Sequence, residues 1–313
     1  MGYNSLIDRT GADALIPPDV SREITQGVPE QSAVMRLARR LPNMPTNQRR
    51  MPVLSSLISA YFVTGDTGLK QTSQAAWSNK FINANELAVI VPIPENVLDD
   101  TNYDVWGEIK PRIIEAMGIA FDQAVLYGTN APNDWPTNVV AGAVAAGNSV
   151  TSGTNPDLYD DIMGTSGTIA KVEADGFMVT GHVGAMTMRS RMRGLRDANG
   201  VPLFNRTPQS PTPYELDGAP VEFPLNGAVD ATQALLISGD YKQLVYSMRQ
   251  DITYKMLSEA VIQDQSGNIL YNLAQQDMVA LRAVIRLGWQ LPNPINRLQT
   301  VEANRYPFSV LLP

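Results

Sequence analysis

The sequence predicts an α+β fold, and three long segments carry that prediction. The spacing of apolar residues predicts a helix over 104–127, which Asp104 can cap at its start and Gly128 can end. Seven apolar residues at alternate positions predict a strand over 279–291 with one buried and one polar face. Two strand-like runs around a polar, glycine-containing turn predict a long hairpin over 51–86.

The first fifty residues are expected to form an extended arm and not a domain. Prolines interrupt them repeatedly, and only residues 30–41 could form a short helix. They hold seven Arg against five Asp or Glu, a local net charge of +2, so the remaining 263 residues carry −9 of the total of −7. A partly disordered terminus is the alternative interpretation.

The hairpin is expected to need a partner surface. Its strands are predicted at 53–63 and 77–88, around a turn at 64–74. A two-stranded hairpin is only marginally stable in water, so the surface that covers it is expected elsewhere, for example on another subunit. The glycines near the turn superficially suggest a phosphate-binding loop, but their spacing to Lys70 is wrong for one and a hairpin tip is favoured.

The remaining predicted elements are shorter. Residues 129–155 are predicted as loop or short strand. The others are a strand over 87–93, helices over 157–172 and 183–196, strands over 176–180, 201–204 and 234–237, turns over 197–200 and 264–268, a proline-rich loop over 207–213 and strands within 245–263. Together these elements predict a body with the long helix and strands, and a separate mixed α/β lobe.

Composition excludes several kinds of chemistry. The 313 residues, 44% of them hydrophobic, can bury a sizeable core and correspond to about two domains. The absence of Cys excludes disulfides, thiol nucleophiles and iron–sulfur clusters, and a single His excludes a multi-histidine metal site. That residue, His182, has no Gly-x-Ser-x-Gly elbow to serve, so a structural role in a turn is favoured. No metal or cofactor site is predicted.

Charge and hydropathy narrow the function further. A net charge of −7 argues against general nucleic-acid binding. Neither a secretory leader nor an apolar run of about 18 residues is recognisable, so a soluble cytosolic chain is expected. Of the 24 basic residues, 18 are Arg, the basic residue that protein interfaces favour. Composition therefore favours a protein whose function is contact with other proteins.

Two groups of carboxylates are candidates for acid–base chemistry. One group is Glu95, Asp99 and Asp100, and the other is Asp160 and Asp161. Each group lies beside a predicted helix start, where negative charge complements the helix dipole. A capping role is therefore favoured over catalysis.

The densest basic patch is a run of four arginines, Arg189, Arg191, Arg193 and Arg196. Arg189, Arg193 and Arg196 share one face of the predicted helix. They could contact acidic residues of a neighbouring subunit or phosphate, and an ordinary solvated face is the alternative.

The order of the segments carries a resemblance that no single segment carries alone. The matching pieces are the arm, the hairpin, the strand 87–93, the long helix ending in Leu126-Tyr127-Gly128, residues 176–179, 195–204, 216–221 and 237–241, and the last strand with Arg282 and Arg286. In this order, over nearly the whole chain, they resemble the major capsid proteins of tailed bacteriophages with the Hong Kong 97 fold. In that family the hairpin is the E-loop and the long helix is the spine helix.

The resemblance implies a division of the chain into arm, E-loop, peripheral domain and axial domain. The arm is 1–50, the E-loop 51–86, the peripheral domain 87–128 and 245–291, the axial domain 129–244, and 292–313 a C-terminal segment of the axial domain. The implied function is a structural shell subunit, without enzyme activity, that assembles into hexamers and pentamers of an icosahedral head around double-stranded DNA. An encapsulin-like nanocompartment shell is one alternative, and a carbohydrate-active enzyme using Glu95 with Asp99 or Asp100 is a remote one.

The resemblance also implies partners and a location. The chain itself is the first partner, followed by a portal and a scaffolding protein, which is expected to be separate because Met1 leads almost directly into the arm. A decoration protein is a further possibility. Packaged DNA is expected to make only weak non-specific contact, and no membrane is involved. The location is the virion, with the host cytoplasm during assembly.

Ten residues are candidates for contact between subunits, and none is a candidate for catalysis. They are Arg39, Arg40, Arg49, Arg50, Lys70, Trp77, Lys80, Arg189, Arg193 and Arg196. Some family members join subunits through a Lys–Asn isopeptide bond assisted by a Glu. Lys70 or Lys80 could supply the amine, but Asp277 and Val284 occupy the other two positions, so no cross-link is expected.

Overall fold

The strands of the described residues form two main sheets and two two-stranded hairpins. The computed structural model describes residues 32–63, 68–70, 72–100, 104–196, 215–264 and 266–313. The helices are α1 (Ala33–Leu37), α2 (Glu95–Asp100), α3 (Val105–Tyr127), α4 (Val139–Ala145), α5 (Leu158–Met163), α6 (Thr168–Ala174) and α7 (Met186–Gly194), with a 3₁₀ turn at Glu302–Asn304. The strands are β1 (Arg39–Arg40), β2 (Gln48–Ser56), β3 (Ala76–Asn83), β4 (Asn85–Pro94), β5 (Ser149–Thr151), β6 (Gly181–Gly184), β7 (Glu215–Leu216), β8 (Ala219–Glu222), β9 (Leu236–Gly239), β10 (Val245–Leu257), β11 (Val261–Gln263), β12 (Ile269–Asn272), β13 (Met278–Gln290) and β14 (Phe308–Leu312).

The first main sheet, the body sheet, has the strand order β1-β10-β13-β4. β13 lies between β10 and β4 and pairs antiparallel with both. Its register runs from Met278 opposite Pro94 to Gln290 opposite Val245. The strand predicted over 279–291 is therefore confirmed, with bounds one residue earlier.

One face of β13 is buried as predicted, but the opposite face is only partly polar. Leu281 and Ile285 belong to the main core, and Arg282 on the other face is exposed. Gly288, also on that other face, is buried beneath the base of the hairpin. A Cβ at Gly288 would lie 2.1 Å from the carbonyl oxygen of Asn83. The prediction of a polar second face was wrong there, because alternation along one strand does not report a layer added by another segment.

The long helix α3 lies on the body sheet and has the predicted ends. The Asp104 carboxylate accepts a hydrogen bond of 3.0 Å from the backbone nitrogen of Gly107. Gly128 ends the helix in the left-handed conformation, with φ of 75°. Pro111 lies inside the helix without ending it.

The second main sheet has the order β5-β14-β9-β6-β8-β7 and is covered by the shorter helices. The last strand, β14, inserts between β5 and β9. The two sheets share one core, because the largest buried apolar cluster includes Trp289 of β13, Phe121 of α3 and Phe308 of β14. The long helix therefore contributes to the core that both sheets share.

The predicted hairpin exists, with shifted strands. β2 begins at Gln48, before the predicted start, and ends at Ser56, so residues 57–63 are not strand. Ala84 alone separates β3 from β4, which explains why a single strand-like run was predicted to pass 83. The tip at 64–67 lies outside the described residues.

Several shorter elements differ from the prediction because glycines and turns divide them. Residues 129–155 include helix α4, and the helix predicted over 157–172 is two helices, since a Cβ at Gly164 would lie 2.5 Å from the carbonyl oxygen of Asp160. The strand predicted over 176–180 lies instead at β6. The predicted elements over 197–200, 201–204 and 207–213 fall outside the described residues.

Three further predicted elements have shifted bounds. The strand predicted over 234–237 is β9 at Leu236–Gly239, the helix predicted over 183–196 is α7, and the helix predicted over 30–41 is the five-residue α1. α1 ends early because Ala38 is extended and the next two residues pair with β10. The turn after Asp264 is confirmed, with its carboxylate accepting from the backbone nitrogens of Ser266 and Asn268.

Candidate functional site

The hairpin carries several exposed large apolar side chains, which together we call the hairpin surface. Its members are Ile58, Phe62, Leu69, Trp77 and Phe81. Phe62 is fully exposed, Leu69 is 90% exposed and Trp77 is 67% exposed. Apolar surface of this extent is typical of protein contact sites, since a monomer gains nothing by leaving it in water. The hairpin surface is therefore the first candidate site.

The base of the hairpin is held firmly on the body. Ile82 is fully buried in a small core with Met44 and Val245. The indole nitrogen of Trp135 donates to the carbonyl oxygen of Asn83 at 3.1 Å, and Gln290 donates to that of Phe81 at 2.7 Å. These contacts fix the direction in which the hairpin leaves the body, while its outer part keeps the apolar side chains in solvent.

Two of the predicted contact residues are engaged within the subunit. Arg49 donates to the carbonyl oxygen of Pro42 at 2.8 Å and is half-buried. Lys80 pairs with Glu302 at 2.9 Å, and this hydrogen-bonded ammonium lowers the pKa of the Glu302 carboxyl. Both side chains join the hairpin region to other parts of the same chain. The sequence could not indicate this, because each pair joins residues that the fold alone brings together.

The other predicted residues near the hairpin are exposed. Arg40 donates to the side chain of Asn43 at 3.2 Å and remains exposed. Arg39, Arg50 and Lys70 are also exposed. These four cations and Trp77 are placed where a neighbouring molecule could reach them.

The arginine patch extends from the middle of α7 to beyond its end. Arg189 and Arg193 lie in the helix, but Arg196 follows the extended residue Leu195, so the expectation that all three share one helical face was wrong for Arg196. Arg193 and Arg196 are exposed and Arg189 is half-buried. The Arg196 guanidinium donates to the carbonyl oxygens of Arg193 and Leu195, both at 3.0 Å. It therefore satisfies carbonyl groups at the end of the helix, where positive charge is favourable.

The carboxylate candidates divide into helix-start and other positions. Glu95 lies in the first turn of α2, a helix that was not predicted, and Asp99 and Asp100 lie at the end of that helix, so the expected position beside a helix start was wrong for these two. Asp160 and Asp161 lie in the first turn of α5, as predicted. Asp161 is also fully buried, and its carboxylate accepts a hydrogen bond from the backbone nitrogen of Gly153 at 2.7 Å, which holds that loop. Within the described ranges, no group of three or more His, Asp or Glu side chains is arranged to hold a metal ion.

His182 is structural, as predicted, but it lies in strand β6 and not in a turn. Its Nε2 is 3.2 Å from the carbonyl oxygen of Leu216, so Nε2 carries the proton. Its Nδ1 then accepts from the Ser238 hydroxyl at 2.8 Å. Burial lowers the pKa of His182 to about 4, despite the opposing hydrogen bond to Leu216, and keeps the ring neutral.

The long helix α3 carries a buried carboxylate that the sequence did not single out. Asp122 lies on the buried face of α3 and is fully buried. Its carboxylate accepts from the Ser32 hydroxyl and from the backbone nitrogens of Ala33 at 2.8 Å and Val34 at 3.2 Å. The available signal was an acidic residue inside the apolar stripe of a strong helix, which calls for a partner.

Comparison with known proteins identifies the family. The model of the phage capsid family matches residues 12–299. The chain belongs to the phage capsid family. A major capsid protein of Staphylococcus phage 80alpha is 28% identical over 303 residues, which cover 95% of this chain and 88% of that protein.

Solved structures agree with the family assignment. A chain of Microbacterium phage Oxtober96 is 34% identical, with a TM-score of 0.84 over 99% of this capsid chain and 100% of that one. A chain from the capsid of a native GTA particle, 18% identical with a TM-score of 0.69 over 99% of each chain, shares the fold. The chain is thus a structural capsid protein of mixed α/β fold, as the resemblance implied. Within the described part, no helix is long and apolar enough to cross a membrane.

Proposed function

We propose that this capsid protein is the shell subunit of a tailed-phage head, with the Hong Kong 97-like arrangement and the hairpin surface as a main contact between subunits. In this proposal the subunits form hexamers and pentamers of an icosahedral shell around double-stranded DNA. The observation that carries it is the hairpin surface, a rigidly based projection with apolar side chains that its own subunit does not cover.

The energetic argument favours burial of the hairpin surface on assembly. Burying a large apolar side chain contributes about 1.5 to 3 kcal/mol. Phe62, Leu69 and Trp77 are at least two-thirds exposed, so they retain most of that contribution for a partner. A shell repeats each contact many times, and modest contributions per subunit then suffice for a stable particle.

The division of the chain follows the family layout. Residues 1–50 serve as arm, 51–86 as E-loop, 87–128 with 245–291 as peripheral domain, and 129–244 with 292–313 as axial domain. The two main sheets support this layout, since β4, β10 and β13 share one sheet and β14 joins the other. The hairpin strand β2 begins at Gln48, so the boundary between arm and E-loop belongs near 47.

The exposed cations supply polar contacts around this apolar site. Arg39, Arg40, Arg50 and Lys70 are accessible for acidic groups of a neighbour, and the α7 patch of Arg189, Arg193 and Arg196 serves the same purpose at the centre of a capsomer. Arg49 and Lys80 are left out of this set, because both are half-buried and joined to other segments of the same chain.

The wider biology follows from a shell role. The protein has no enzymatic function of its own, works in the virion after assembly in the host cytoplasm, and uses a portal and a separate scaffolding protein. The carboxylates of α2 then have no catalytic role. The strongly negative body keeps packaged DNA from adhering to the wall.

Two paired substitutions test the hairpin surface. Phe62→Ser and Trp77→Ser should reduce shell formation at a fixed protein concentration by at least tenfold, since each removes about 1.4 kcal/mol or more per contact. Phe62→Leu and Trp77→Phe keep the apolar surface and should assemble nearly normally. Sedimentation of all four proteins measures particle yield. Equal yields from the serine and conservative variants would contradict the proposal.

The shell should contain no covalent links between subunits. Lys80 is paired with Glu302, and Asp277 and Val284 replace the amide and the carboxyl that an isopeptide bond requires. Particles boiled in detergent should therefore migrate as single chains on a denaturing gel. A ladder of multimers that persists under reducing conditions would overturn this expectation.

A further inference from the structure

The junction between α1 and the long helix α3 is unusually close. Ser32 lies against α3 at Gly118, where an added Cβ would come within 3.2 Å of the Ser32 backbone nitrogen. One turn further along α3, Asp122 receives the hydrogen bonds from Ser32, Ala33 and Val34 described above. Two independent features of α3, a missing side chain and a buried carboxylate, therefore fit the same short segment.

The contacts satisfy the start of α1 almost completely. The Ser32 hydroxyl donates to Asp122 and accepts from the backbone nitrogen of Met35 at 3.0 Å. The Asp122 carboxylate accepts hydrogen bonds from the backbone nitrogens of Ala33 and Val34, which have no partners within a helix start. A cavity of about 290 Å³, lined in part by Ser32, Arg36 and Gly118, borders this junction, so α1 is not packed on all sides.

We propose that Gly118 and Asp122 form a pH-dependent catch on α3, which holds the first turn of α1 and so fixes where the N-terminal arm leaves the body. The proposal rests on the proposed role of residues 1–50 as an arm between subunits, in which residues 1–31 precede the catch. The chain after α1 is held separately, since the backbone nitrogen of Arg39 donates to the carbonyl oxygen of Leu244 at 3.0 Å. The catch therefore holds the end of α1 that is nearer to the N-terminus.

The electrostatic environment gives the catch its pH dependence. Burial raises the pKa of Asp122 to about 6, although the hydrogen bonds from Ser32, Ala33 and Val34 and the charge of Arg36 oppose the rise. Among the described residues, the carboxyl is faced by Arg36 on α1, which also pairs with Glu222 at 3.3 Å, and by Tyr241 after β9. Burial raises the pKa of Tyr241 well above its ordinary value of 10, so this hydroxyl stays neutral where Asp122 titrates.

The sign of the effect follows from linkage. Released from the catch, the Asp122 carboxyl returns towards its ordinary pKa of 3.8, so the docked state binds the proton more tightly. The free energy by which the catch holds α1 on α3 is therefore greatest below pH 3.8 and decreases as the pH rises through about 6. The fraction of subunits with an open catch should be about tenfold higher at about pH 7.5 than at about pH 5.

Hydrogen exchange in assembled particles tests the proposal. The amides of Ala33 and Val34, corrected for intrinsic exchange rates, should show the tenfold pH effect in the natural protein. Asp122→Asn removes the charge at nearly constant volume and should abolish the pH effect. An equal pH effect in Asp122→Asn, or none in the natural protein, would overturn the proposal.

Two further variants keep the test decisive if Asp122→Asn fails to fold. Ser32→Ala removes a hydrogen bond that lowers the pKa of Asp122, so the midpoint of the exchange profile should move to higher pH, and an unchanged midpoint would contradict the catch. Gly118→Ala should make the Ala33 and Val34 amides exchange faster at every pH, while the dependence of their exchange on pH stays the same. Its control is Gly194→Ala at the end of α7, where an added Cβ meets no atom within 4 Å.

The result can be separated from the fate of the proposed function. Electron microscopy of the same samples shows whether closed shells form. Shells without the expected exchange pattern would reject the catch alone, whereas the absence of shells from the natural protein would reject the shell role itself.

Discussion

At the scale of single residues, buried polar groups in the described part of the protein hold segments together. His182 joins β6 to Ser238 and Leu216, and Asp122 joins α3 to the start of α1. The structural role of His182 was predicted, because the sequence offers it no catalytic partners. The role of Asp122 was not predicted, since two of its three donors are backbone nitrogens, which every sequence contains.

His182 should make the protein sensitive to acid. The pKa of His182 is about 4 in the folded chain and about 6.5 in the unfolded chain. Its contribution to the free energy of unfolding is therefore fully present above pH 6.5 and is lost as the pH falls through 4. The loss amounts to about 3 kcal/mol. In His182→Gln, the free energy of unfolding should therefore depend less on pH across this range.

Denaturant unfolding of the natural chain and of His182→Gln, compared as a difference, measures this contribution. The difference is needed because Asp122 titrates in part of the same range with the opposite sign. Parallel pH profiles for the two proteins would show that His182 is not the sensitive group.

At the scale of elements, periodicity predicted the long pieces and missed the short ones. The helix α3 and the strand β13 have strong patterns and clear ends, and both were predicted within one residue. The region after 129 was harder, because helices of six or seven residues such as α4 and α5 hold too few residues to show a period. Their stability comes from packing on the second sheet and not from local preference.

The end of α3 gives a test at this scale. Gly128 and Gly147 both have positive φ, of 75° and 84°, so Ala in either position should cost about 1 to 2 kcal/mol. An added Cβ at Gly128 would also lie 2.7 Å from the side-chain nitrogen of Asn138, which caps α4, whereas one at Gly147 meets no atom within 4 Å.

Gly128→Ala should therefore destabilise the protein more than Gly147→Ala, by about a further 1 kcal/mol for the disturbed cap. Thermal denaturation of the two variants beside the natural chain measures the difference. Equal destabilisation would show that the contact between the end of α3 and the α4 cap has no energetic importance.

At the scale of the whole molecule, one shared core contrasts with one uncovered projection. The two main sheets share one buried cluster, which includes Trp289, Phe121 and Phe308. The proposed peripheral and axial domains should therefore unfold together in a single transition. The hairpin surface lies outside this core.

The order of the segments was sufficient to indicate a capsid fold, because many weak motifs in one fixed order are more specific than any one of them. The internal pairs of Arg49 and Lys80 could not be predicted, since they depend on how the hairpin base lies on the body.

A cryo-electron microscopy map of particles formed by the natural protein tests the central claim most directly. The account predicts closed shells in which Phe62, Leu69 and Trp77 of each subunit are buried against a neighbouring subunit. Shells in which these side chains face solvent, or a protein that stays monomeric with and without a scaffolding protein, would contradict it.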